Sequence, residues 1–307
     1  MTPAAPTNRV VNALTIDVED YFQVSAFAPY IQRGDWDTKQ CRVERNMDVI
    51  LGLLAEHRVH ATFFTLGWIA ERYPHVVRRI VQDGHELASH GYGHHRATEQ
   101  GAEFFRSDIT LAKILLEDIG GVAIKGYRAP SFSVGTGNAW AFDCIERAGY
   151  AYSSSIYPIR HDHYGMPDAP RFAHAVRPNL LEVPITTVHV FGRNWPAGGG
   201  GYFRLLPYAL SRWALRRVNT QDRASAIFYF HPWELDPEQP RVPDIDMRTR
   251  FRHYLNLGRM QARLRRLLSD FEWGRADEVF LGSEAKSGVS FDRASVAAPS
   301  AAQPLGA

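Results

Sequence analysis

Between residues 10 and 282 the chain alternates short apolar, β-rich runs with stretches of helical periodicity. Residues 10–16 and 61–66 read as strands, while 42–57 sets Met47, Ile50, Leu51 and Leu54 along one helical face. A second helix is predicted over 68–82, with Gly84 as its C-terminal cap. Residues 86–89 then lead into a polar cluster. Residues 104–119 are helical and close on Gly120-Gly121, 122–127 is strand-like, and 138–148 is helical up to Gly149. Further strands are predicted at 150–156, 180–190 and 226–230. This alternation predicts a parallel, barrel-like α/β architecture. Residues 159–177, rich in His, Pro and Asp, and 191–207, with four glycines at 198–201, interrupt it as long loops of the kind that often carry function. An arginine-rich helix over 247–268 is expected to present a solvated basic face. From Ser283 the Ala, Ser, Pro and Gly composition predicts a disordered tail.

Composition narrows the class without naming a partner. A chain of 307 residues, 45% hydrophobic and 12% aromatic, has material for one domain with elaborations. Its formal charge of +2 gives no general attraction to nucleic acid or membrane. Two cysteines far apart, Cys41 and Cys144, suggest reduced thiols rather than a disulfide framework. Residues 1–8 lack an apolar leader segment and no run approaches the apolar length of a membrane span, so a cytoplasmic protein is expected.

The chemistry concentrates in His85-Glu86-Leu87-Ala88-Ser89-His90-Gly91-Tyr92-Gly93-His94-His95. His90 and His94 have a spacing that lets two imidazoles converge on one ion, with glycines beside them that admit close backbone approach. His85 and His90 are one residue too far apart for the helical zinc-protease signature. A surface turn rich in histidine is the plain alternative. What favours a metal is the placing of the polar clusters. Asp17-Val18-Glu19-Asp20, His90 to His94, Arg128-Ala129-Pro130 and His231-Pro232-Trp233-Glu234 each follow a predicted strand, on the face where barrels build their sites. Singly, these residues read equally well as a helix cap, a surface ion pair or a core histidine.

The phrases TIDVEDYF, TFFTLGW, HELASHGYGHH, GYRAPSFS, GGGYFRLLPY and FYFHPWELD resemble NodB-type polysaccharide deacetylases of carbohydrate esterase family 4, and within them the branch of exopolysaccharide loci beside exosortase systems. The resemblance implies a distorted (β/α) barrel of about seven strands spanning 10–282, with a family-specific part from about 190, a short extension at 1–9 and the tail at 283–307. It also implies metal-dependent hydrolysis of N-acetyl groups on amino sugars. Asp17 matches the catalytic aspartate. Val18 stands where a second aspartate is common, so the carboxylate ligand passes to Glu19, with Asp20 as runner-up. His90 and His94 match the two histidine ligands, although Gly91 replaces a supporting hydroxyl residue. Arg128 matches the arginine that orients the aspartate, and His231 the general acid. The motif that usually supplies a further aspartate is blurred over 150–157, and no role is carried over there. Pro130 and the aromatics Tyr157, Trp195, Tyr202, Phe203 and Trp233 are candidates for a sugar-binding rim, ordinary packing being their alternative.

On that resemblance one divalent ion is expected, with zinc the first choice and iron, cobalt, nickel or manganese compatible with two histidines and a carboxylate. The expected partner is an N-acetylated glycan, with no nucleic acid and no membrane span. A small-molecule amidohydrolase of allantoinase type, favoured if residues 159–177 close a narrow pocket, and a non-catalytic carbohydrate-binding protein are the competing readings.

Overall fold

The computed structural model describes residues 10–161 and 165–282. In order, its regular elements begin with β1 (Val11–Val18), α1 (Val43–His57), β2 (Thr62–Thr65), α2 (Gly67–Arg72), α3 (Pro74–Gln82), β3 (Glu86–Ser89), α4 (Ala102–Gly120), β4 (Gly126–Tyr127), α5 (Trp140–Arg147) and β5 (Tyr152–Ser153). They continue with β6 (His174–Arg177), β7 (Leu180–Glu182), β8 (Thr187–Val190), β9 (Arg193–Pro196), α6 (Gly200–Leu205), α7 (Tyr208–Arg217), β10 (Ile227–Phe230), α8 (Met247–Tyr254), α9 (Leu257–Asp270), β11 (Glu272–Gly274) and α10 (Ala276–Phe280).

The strand period sorts the side chains of β1 into two layers. Leu14, Ile16 and Val18 pack outward against the helices, in one large core with Leu51, Leu54, Phe63 and Ile69. Ala13 faces the other way, into a smaller core with Phe64, Tyr152, Tyr157, Ile185 and Tyr229 that fills the barrel. The main sheet runs β10-β1-β2-β3-β4-β5-β7-β6, an eight-strand path against about seven expected, with β11 also on β1. Its pairs are parallel except β6 with β7. The sheet curls into a barrel whose seam is sewn by single hydrogen bonds. Ile185 N donates to Ile156 O (3.0 Å), Ala197 N to Thr186 O (3.1 Å) and Tyr229 N to Gly198 O (2.8 Å). A Cβ on Gly198 would run into the Ile227 carbonyl, so the seam needs glycine there.

Several predicted elements prove shorter or broken. The helix expected over 68–82 is two, because Pro74 holds Tyr73 out of the helical region (φ −127°, ψ 57°). The helix expected over 247–268 divides at Asn256, whose φ of 53° is left-handed. The strand expected over 180–190 breaks near Pro184, which has no N–H to pair; β7 stays in the main sheet and β8 pairs with β9. Residues 122–127 and 150–156 contribute only two paired residues each. The two expected loops hold β6 in the first and β9 and α6 in the second. Cys41 and Cys144 are free thiols. Residues 1–9 and 283–307 lie outside the described residues, and among those described no helix is long and apolar enough to cross a membrane.

Asp20 shows how the chain leaving β1 is fastened. Its buried carboxylate accepts from the backbone N–H groups of Tyr21, Arg42 and Val43 and from Cys41 Sγ, and so caps both the turn after β1 and the start of α1. Charge-assisted bonds of this kind, once removed, leave buried donors unpaired. Asp20→Ala is therefore expected to cost about 3 kcal/mol, read as a lower urea midpoint with an unchanged slope.

Candidate metal and catalytic site

Six charged or titratable side chains meet at the C-terminal end of the barrel because each sits at or just past the end of a parallel strand. Asp17 and Glu19 come from the end of β1, His90 and His94 follow β3, Arg128 follows β4, and His231 follows β10. Arg128 is wholly buried inside the barrel. Its Nη1 donates to Asp17 Oδ1 at 2.5 Å and to Thr15 Oγ1 at 2.9 Å, and its Nε and Nη2 donate to Ser154. Phe64 lies 4.1 Å beneath the guanidinium. Four of the five polar hydrogens of the buried charge are thus directed, and Asp17 has little freedom to turn.

Glu19, His90 and His94 bring ligand atoms within 4.8 Å of one another, all three residues buried. The Nδ1 of His90 lies 2.8 Å from the Arg128 carbonyl, which can only accept, so Nδ1 carries the hydrogen and Nε2 keeps its lone pair for the cluster. Burial pushes the His90 pKa down to about 4, so the ring is neutral, as a ligand must be. His94 Nε2 stands 2.8 Å from Glu19 Oε2. Burial works to raise the Glu19 pKa, but His94, His231 and His90 outweigh it and hold the carboxyl at about 2. Two imidazoles and a carboxylate fit one divalent ion of borderline softness and leave coordination positions open. Asp20 does not compete, its oxygens being spent on backbone.

The histidine loop is irregular rather than helical, and its shape is imposed. Gly91 has φ +76° and His94 φ +53°, a left-handed conformation for a non-glycine residue. Asp108 accepts from Tyr92 N (2.9 Å) and Gly93 N (3.3 Å), and Arg33 donates to the carbonyls of Gly93 and His94. These two charges, distant in sequence, hold the loop.

His231 Nε2 points at the cluster, 3.5 Å from Glu19 Oε1 and 3.9 Å from Asp17 Oδ2. Its other nitrogen, Nδ1, lies 2.9 Å from Glu234 Oε1, and Glu234 is bound in turn by Arg204 Nε at 2.6 Å. Burial works to hold His231 neutral, yet Glu19, Glu234 and Asp17 together draw its pKa up to about 9. Glu234 itself stays near 2: burial works to raise it, and Arg204 and His231 overcome that. Sequence reasoning missed this pair. The available signals were a glutamate three residues after His231 and a glycine run before an arginine. A Cβ on Gly200 would strike the Glu234 carboxylate, so the glycines are what let α6 deliver Arg204.

A cavity of about 750 Å3 opens from this cluster, between residues 22–36 on one side and α6 and α8 on the other. Of the predicted rim, Tyr202 lines it and Trp233 lines its floor, buried and stacked between His231 (5.1 Å) and His253 (4.1 Å). Three expectations fail on placement. Tyr157 is fully buried against Phe132 and Tyr229 inside the barrel, Pro130 is buried away from the cavity, and Trp195 is exposed but lies on the β8–β9 hairpin outside the lining. Phe203 is likewise core, packed on Phe228. The alternative of ordinary packing holds for Tyr157, Pro130 and Phe203.

Glu19→Gln or His90→Ala should abolish stoichiometric metal by elemental analysis, while the destabilised Asp20→Ala should retain it where folded. Glu234→Gln removes a charge that raises the His231 pKa, so the proton on His231 should be lost at lower pH. The alkaline limb of kcat/KM for amide hydrolysis should then move to lower pH and turnover fall by about 10- to 100-fold, checked by a pH-rate profile.

Two family profiles divide the chain: one described as polysaccharide deacetylase matches residues 35–153, and one described as a domain of unknown function, DUF3473, matches 154–281. The chain is 37% identical over 81 residues to a peptidoglycan-N-acetylglucosamine deacetylase of Bacillus cereus, covering 26% of this chain and 30% of that protein. It is 51% identical over 45 residues to a chitooligosaccharide deacetylase of Sinorhizobium fredii, covering 15% of this chain and 21% of that one. The matched stretches thus span less than a third of either relative's length. A candidate polysaccharide deacetylase from Mycobacterium smegmatis shares the fold, with a TM-score of 0.57 at 20% identity over 93% of this chain and 95% of that one. On these matches residues 35–153 form a polysaccharide deacetylase domain and residues 154–281 a DUF3473 domain.

Proposed function

We propose that the protein is a metal-dependent deacetylase that hydrolyses N-acetyl groups of amino sugars in a polysaccharide or its precursor. The observation that carries this reading is the meeting of Asp17, the Glu19-His90-His94 cluster and His231 at the floor of one open cavity. Glu19, His90 and His94 would hold the ion, and zinc suits this donor set first. A bound divalent ion supplies a strong water nucleophile near neutral pH and polarises the acetyl carbonyl.

The chain's own groups do the proton work. Asp17, aimed by Arg128, takes the proton of the attacking water. His231, its Nδ1–H engaged by Glu234, presents Nε2 to the same space and gives a proton to the departing amine. Amine departure needs that proton because an amide nitrogen is a poor leaving group. The cavity supports an extended substrate over a small closed-in amide, since it is walled along its length by residues 22–36 and by α6 and α8. The resemblance of the chain's motif phrases to the exopolysaccharide-locus branch favours an exopolysaccharide as the glycan. We take residues 10–282 as a single catalytic unit, because β1 from the first part of the chain pairs with β10 and β11 from the last.

The test is acetate release from a panel of N-acetylglucosamine oligomers by metal-reconstituted protein. Asp17→Asn and His231→Ala should keep their metal yet lose about 100- to 10,000-fold in turnover, and a chelator should silence the native protein. Near-normal activity in either variant removes that residue from its role. No release from any oligomer by metal-loaded protein sets these glycans aside as substrates.

A further inference from the structure

The helices α7 and α9 form a face that the proposed reaction does not use. Their sequences, YALSRWALRR and LGRMQARLRRLLSD, contain seven arginines and a single acid, Asp270, a local charge three times the net +2 of the chain. Four of the arginines, Arg212, Arg216, Arg217 and Arg266, converge with Trp213 around a cavity of about 360 Å3. Arg212 pairs with Asp270 at 2.9 Å, and Arg266 lies 4.4 Å over the Tyr208 ring. Among the described residues Arg216, Arg217 and Arg266 form no ion pair. Beside them Leu210 and Trp213, three residues apart on one side of α7, are 49% and 47% exposed.

A merely solvated basic helix, the expectation from sequence, would interleave carboxylates at pairing distance and bury its large apolar groups. Among the described residues this face pairs only two of its seven arginines, Arg212 with Asp270 and Arg265 with Glu56, and it leaves Leu210 and Trp213 exposed. An acidic glycan would use the arginines and the tryptophan but leave Leu210 in water. A bilayer interface uses all three, with phosphate among the guanidinium groups, indole at the headgroup level and leucine beneath it. We infer that the α7–α9 face docks the protein on an anionic phospholipid surface.

The full chain is sedimented with vesicles of phosphatidylcholine, with and without phosphatidylglycerol, at low and high salt. Partition is expected onto the anionic vesicles alone and should weaken with salt. Arg216→Gln/Arg266→Gln, both on exposed side chains, should reduce it by about 25-fold, roughly fivefold per arginine. Leu210→Ser/Trp213→Ser should remove the binding that survives high salt. Both variants should keep the native melting temperature and acetate release from soluble oligomers. Equal partition onto neutral vesicles, no partition at all, or unchanged partition of either variant overturns the inference. Retention on an acidic polysaccharide without vesicle binding also overturns it, and gives the face to a glycan.

Discussion

The ion pair between Arg128 and Asp17 governs the architecture of the site. A guanidinium inside a barrel lined by Phe64, Phe132 and Tyr229 is tolerable only if its charge is matched and its hydrogens are placed. Asp17 supplies the charge, while Thr15 and Ser154 take further donors. Thr15 is itself tied to the Phe228 carbonyl, so strands β1, β4, β5 and β10 are all clamped on one cation. The backbone that carries Arg128 also fixes His90, through the Arg128 carbonyl. Asp17 and His90 are therefore oriented by the same residue, and neither can move without the other.

The second half of the chain completes what the first half leaves open. Residues 35–153, which match the deacetylase profile, contain His90, His94 and Arg128 but neither His231 nor Asp17, the proposed acid and base. His231, its carboxylate Glu234 and the Arg204 that holds Glu234 all lie in the DUF3473 half. Arg204 also donates to the carbonyls of His253 and Leu255 at the end of α8. One buried arginine thus joins His231, through Glu234, to a wall of the cavity. Trp233, sandwiched between His231 and His253, makes the same connection through ring stacking.

Much of this was legible in the sequence because the relevant signals are local. Two histidines four apart beside glycines, and acids just past apolar runs, declare themselves by residue type and position. The choice between Glu19 and Asp20 was not settled by adjacency; it depends on which carboxylate is consumed by the start of α1, more than twenty residues away. Part of the aromatic rim, Tyr157 and Trp195, lies off the cavity for a related reason. Whether Tyr157 or Trp195 faces a substrate is decided by barrel closure and by a hairpin, neither of which leaves a mark on the residue itself. Pro74 and Pro184, by contrast, are local marks of the breaks in their elements that the expectation of unbroken 68–82 and 180–190 passed over.

The position of β1 between β2 and the late strands β10 and β11 sets the order in which the fold can be completed. Its partners β10 and β11 lie more than two hundred residues downstream. As the chain emerges from a ribosome, β1 to β5 can pair in sequence, yet one flank of the first strand stays bare until residue 230, and the strap at 272–274 comes last. That bare edge is a long-lived, hydrophobic, unpaired strand of the kind that slows folding and invites mispairing. The closing contact of the fold is thus reserved until residues 227–274 have been made, and a nascent chain cannot bring His231 to Asp17 and Glu19 before β10 is in place.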